Sequence, residues 1–106
     1  MRRIVLIAGL LLVMPAAKAQ EDPWIAYGKA LVENNCASCH AVGLTDESAH
    51  EEAPALRTLM ERYPIDALEE SFVEGISTGH PDMPEFIATP EQIAAIIDYI
   101  GSLARQ

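Results

Sequence analysis

The chain has 106 residues, two cysteines, and sixteen carboxylates against seven lysines and arginines, for a formal charge of −9. That acidity argues against nucleic acid as a partner and against anionic lipid surfaces, both of which are bound through clustered cationic side chains. Two cysteines cannot build a disulfide framework, so a chain this short needs another staple for its core, such as a metal or a large cofactor.

Arg2 and Arg3, an apolar run from Ile4 to Met14, and the segment Pro15-Ala16-Ala17-Lys18-Ala19 read as a secretory signal. The apolar run is about 11 residues long where a spanning helix needs about 20, so cleavage is expected in place of stable membrane insertion. Ala17 and Ala19 fit an A-x-A cleavage site. The expected division is a signal over 1–19 and one domain over 20–106 that starts at Gln20, with an uncleaved short anchor as the alternative. Loss of Arg2, Arg3 and Lys18 leaves four basic residues, Lys29, Arg57, Arg62 and Arg105, against all sixteen carboxylates, near −12. Such a charge steers the protein toward a basic or neutral docking patch, or serves only solubility.

Asp22 and Pro23 form an N-cap and first-turn pair, and Trp24, Ile25, Gly28, Leu31 and Val32 share one face of a first helix that runs into Cys36. From Ala41 to about Pro54 the periodicity fails, and Gly43, Thr45, Asp46, Ser48, Glu51 and Glu52 read as an exposed loop with His50 in solvent. A short helical piece is expected over Ala55 to Arg62. Pro64 then opens a helix in which Ile65, Leu68, Phe72 and Ile76 recur at threes and fours, until Gly75 and Gly79 end it. A proline-rich loop follows from Thr78 to Thr89. In the last helix Thr89, Pro90 and Gln92 make a capping box, and Ile93, Ile96, Ile97, Ile100 and Leu103 form the apolar stripe. No segment alternates as a strand does, so the expected fold is all-α, with three main helices and a short one in a single domain.

The chemistry sits in Cys36-Ala37-Ser38-Cys39-His40. C-x-x-C-H is the pattern of covalent heme c attachment, in which two thiols add to the heme vinyl groups and the next residue offers an imidazole to the iron. Two intervening residues bring both sulfurs to one edge of the ring, and the following turn carries His40 beneath it. A C-x-x-C redox dithiol would want a βαβ context, and zinc would need two histidines from His40, His50 and His80 to close four ligands. A disulfide between Cys36 and Cys39 would be strained and would leave His40 without a role.

A second iron ligand is expected from Gly79-His80-Pro81-Asp82-Met83-Pro84-Glu85-Phe86, where two prolines stiffen the backbone around Met83. A His40/Met83 pair raises the reduction potential relative to His/His and suits an electron carrier. His80 is the rival ligand and Met60 a more distant one. No acid/base pair or nucleophile accompanies the motif, so no enzymatic role is expected.

These residues resemble the class I c-type cytochromes, in particular small periplasmic monoheme proteins with a similar G-H-P-D-M-P-E-F segment, and the likeness runs from Gly28 to Leu103. The resemblance implies three main helices wrapped on one covalent heme c, with Gly28 meeting Tyr99 where the first and last helices cross. It also implies that the Pro54 carbonyl accepts the Nδ1 proton of the ligating His40, which fixes the ring and raises its basicity. Arg57 is then expected to face a heme propionate, with a surface ion pair as the alternative, while Trp24 and Tyr63 pack between helices. The function implied is a monomeric periplasmic electron carrier serving redox protein partners such as a dehydrogenase or terminal oxidase. The alternatives are a dedicated heme subunit of one such complex, or a sensor or low-turnover peroxidase in which Met83 dissociates.

Overall fold

The fold was taken from a computed structural model, which describes residues 2–14, 21–76 and 80–105. Ala17, Ala19 and Gln20 of the expected cleavage site, and Gly79 of the expected ligand segment, lie outside those residues. Residues 2–14 form neither helix nor strand and expose their apolar side chains. Among the described residues no helix is long and apolar enough to cross a membrane.

Helix α1, Pro23–Asn35, starts where Asp22 Oδ1 accepts the Trp24 N–H at 2.8 Å, with Pro23 in the first turn where its missing N–H costs nothing. The last helix, here α4, spans Pro90–Ala104 and opens with the expected capping box. The Gln92 N–H donates to Thr89 Oγ1 at 3.2 Å, and the Thr89 N–H donates to Gln92 Oε1 at 3.0 Å. Its stripe, Ile93, Ile96, Ile97, Ile100 and Leu103, is buried throughout.

α1 and α4 form the main helix pair. A Cβ on Gly28 would stand 2.7 Å from the Ala95 carbonyl carbon and 2.9 Å from Tyr99 Cβ, so the two backbones touch only because that side chain is absent. The Trp24 indole N–H donates to Asp98 Oδ2 at 2.7 Å, which ties the start of α1 to α4. The Tyr99 hydroxyl donates to the Val42 carbonyl and pins the loop that follows the cysteine motif.

Between these helices the chain makes a single 3-10 turn, Leu56–Thr58, then the one-turn helix α2, Leu59–Arg62, and then α3, Ile65–Val73. α3 ends earlier than its periodicity suggests. Glu74 caps it and Gly75 turns the chain at φ +83°, a left-handed conformation that favours glycine. Ile76 is therefore not on the helical stripe. It pairs instead with Phe86 in an isolated antiparallel bridge, which closes the base of the loop carrying Met83.

Candidate cofactor site

The C-terminal end of α1 presents the cysteine motif as one tight turn. The Cys36 N–H bonds the Val32 carbonyl at 2.8 Å, and the Cys39 and His40 N–H groups both return to the Cys36 carbonyl, at 3.2 and 2.8 Å. Cys36, Cys39 and His40 all line one cavity of about 760 Å³, and both cysteines are unpaired. That volume lies within the roughly 300–1,000 Å³ of typical cofactor sites. Its apolar wall comes from the 3-10 turn and α2 (Leu56, Leu59), α3 (Leu68, Phe72) and the two bridge residues, Ile76 and Phe86.

His40 Nδ1 lies 2.7 Å from the Pro54 carbonyl oxygen. A carbonyl can only accept, so the proton of the neutral ring belongs on Nδ1 and the Nε2 lone pair is left to donate to a metal. Met83 also lines the cavity and is half-buried. His80 lines it too, but its Nε2 is engaged by Glu52 and its Nδ1 accepts the Asp82 N–H at 3.2 Å. Met60 does not line it. An imidazole lone pair and a thioether on the wall of an apolar cavity, beside two thiols at C-x-x-C spacing, form a donor set that fits heme c.

The rival chemistries fit less well. Burial pushes the Cys36 thiol up to about 11, whereas an attacking redox thiol needs a lowered value. No group of three or more His, Cys, Asp and Glu side chains among the described residues could hold a metal ion, which removes the support for zinc.

Arg57 departs from expectation. Its guanidinium is turned away from the cavity and donates to the carbonyls of Gly43 and Asp46, at 3.2 and 2.8 Å, with the Asp46 carboxylate at 3.4 Å. These contacts match the surface ion-pair alternative. Slight desolvation, which acts upward, is the largest influence on Asp46; the N–H bonds from Val42 and Gly43, each 2.9 Å, its own backbone N–H and the Arg57 charge together outweigh it. The carboxyl is held below its ordinary range.

Among the described lining residues the arginine is Arg62, followed by Tyr63, which is half exposed at the cavity mouth and not packed between helices. The missed signal was helical spacing, since Arg62 and Tyr63 lie three and four residues after the cavity-facing Leu59 and share its side of the chain. His50 also differs from expectation: it is half-buried on the cavity wall and bonded to Asp82 at 3.0 Å. Both partners of that bond come from loops whose periodicity is uninformative.

A family model described as cytochrome c matches residues 25–104. No curated protein and no solved structure matches the chain significantly.

Proposed function

Because the chain belongs to the cytochrome c family, whose members hold heme c covalently and transfer electrons, we propose that it is an exported, monomeric carrier working in the periplasm with one heme. In this reading Cys36 and Cys39 would attach the ring, and His40 and Met83 would hold its iron. The group supplies a one-electron Fe(III)/Fe(II) couple when bound. The protein's part is to shield it with the apolar wall of Leu56, Leu59, Leu68 and Phe72, and to orient the His40 imidazole through the Pro54 carbonyl.

The observation that carries the proposal is the convergence of Cys36, Cys39, His40 and Met83 on one cavity, with the His40 tautomer set for metal binding. If both His40 and Met83 held the iron, no open coordination position would remain for oxygen or peroxide, so electron transfer without substrate conversion is the favoured activity. The exposed carboxylates at the cavity rim, Glu74 and Glu85 among them, favour redox partners with a basic docking face.

The test is an absorption spectrum of protein from a host competent in heme attachment, oxidised and then reduced. A weak far-red band in the oxidised form that Met83→Ala abolishes, with sharp α and β bands on reduction, is expected. Absence of covalent heme overturns the reading. Carbon monoxide binding to the reduced wild-type protein at neutral pH would favour the sensor or peroxidase alternative instead.

A further inference from the structure

Two short segments about thirty residues apart fold the same way and meet at the cavity mouth. In His50-Glu51-Glu52-Ala53 the Ala53 N–H donates to the His50 carbonyl at 3.0 Å, and the Glu52 N–H donates to His50 Nδ1 at 3.2 Å. In His80-Pro81-Asp82-Met83 the Met83 N–H donates to the His80 carbonyl and the Asp82 N–H to His80 Nδ1, both at 3.2 Å. Each turn thus uses its histidine Nδ1 as an acceptor, which puts the proton of the neutral ring on Nε2.

The carboxylate of the opposite turn receives each Nε2. His50 Nε2 lies 3.0 Å from Asp82 Oδ2, and His80 Nε2 meets Glu52 Oε2. The two imidazoles stand edge to face, centroids 5.7 Å apart and planes at 90°. Histidine and acid are exchanged between the two turns, so every ring nitrogen of both histidines is engaged by the crossed arrangement. One turn belongs to the loop that ends in Pro54, the residue that orients His40, and the other ends in Met83.

We propose that this crossed pair is a latch: His50 and Glu52 are positioning residues that hold the Met83 turn against the loop after C-x-x-C-H, and so set how readily Met83 leaves the iron. The inference rests on the His40/Met83 reading above. Among the described residues the Met83 segment is tied at its base by the Ile76–Phe86 bridge, and the latch is a further tie, near the tip. Without it the segment can swing about its base, and an outside ligand reaches the iron more often. The latch carboxylates are well exposed, so each bond is weak by itself, and breaking one should alter the opening equilibrium by roughly two- to fivefold.

The experiment titrates the oxidised, heme-loaded protein with imidazole at fixed neutral pH and follows loss of the far-red band, alongside helix melting. Glu52→Ala and His50→Ala should each lower the imidazole concentration needed by about two- to fivefold and speed binding, with a larger effect in the double variant. Glu52→Gln, which keeps an acceptor for His80, should restore most of the wild-type behaviour. A double variant with wild-type imidazole binding, or a shift in helix melting without one in imidazole binding, overturns the latch while leaving the ligation reading intact. A wild-type protein with covalent heme but no far-red band overturns both.

Discussion

Replacing Gly28 with alanine tests the crossing of α1 and α4 where it has no slack. A glycine-to-alanine change inside a helix ordinarily stabilises by about 1 kcal/mol. Here the new Cβ would lie 2.7 Å from the Ala95 carbonyl carbon and 2.9 Å from Tyr99 Cβ. The nearest atoms belong to the α4 backbone and to the first carbon of a buried side chain, so no flexible end can yield and the helices must separate. Overpacking costs about 1–3 kcal/mol, and backbone neighbours put this site at the upper end, leaving a net loss of about 1–2 kcal/mol. A domain of this size loses about 4–8 °C of melting temperature per kcal/mol, so Gly28→Ala should melt roughly 4–16 °C below wild type. The assay is thermal unfolding of the heme-loaded protein by far-ultraviolet circular dichroism, with Gly101→Ala as the comparison. At Gly101 the nearest atom to an added Cβ is Arg105 Nη1 at 3.1 Å, the far end of a flexible side chain, so that variant should match or exceed wild type. A Gly28→Ala protein that melts at or above the wild-type temperature would refute the close crossing.

Asp46 has a folded-state pKa below its unfolded one, so its contribution to stability is present above about 3.9, the unfolded value, and is lost as pH falls through the folded value. A carboxyl titration by nuclear magnetic resonance should show its inflection below the ordinary aspartate range, and Arg57→Gln should move that inflection upward; an unmoved inflection would remove the Arg57 charge as a cause. Tyr99→Phe leaves the Val42 carbonyl without its donor and should cost about 1 kcal/mol in urea unfolding, a loss absent if water replaces the hydroxyl. The Cys36→Ala, Cys39→Ala chain, which cannot attach heme, should be largely unfolded by circular dichroism, and a cooperative melt near the native temperature would contradict this.

Elements with a local start signal were legible in the sequence. Asp22-Pro23 and Thr89-Pro90-x-Gln92 bring their own caps, and α1 and α4 begin where those caps predict. The cysteine motif was legible for a similar reason, since its geometry is contained within five residues. The end of α3 was not, because Ile76 continues an apolar period that a left-handed Gly75 interrupts; the period reports which residues want burial, and Ile76 is indeed buried, but through a bridge to Phe86. The directions of Arg57 and His50 were also out of reach. Both depend on how the 41–54 loop folds back on the helices, and a loop held by the Asp46 carboxylate and the Tyr99 hydroxyl leaves no periodic trace.

The division of the core explains why the cavity and the fold belong to one problem. α1 and α4 complete each other by direct packing at Gly28, whereas α3 has its main helix contact with α4 alone and turns Leu68 and Phe72 toward the cavity. Leu56, Leu59, Ile76 and Phe86 face the same space. α3 and the Met83 loop in particular depend on something large and apolar being held between them. In the proposed reading, covalent attachment through Cys36 and Cys39 would keep the group that completes this core from diffusing away, so the same two residues would serve both the redox site and the hydrophobic interior.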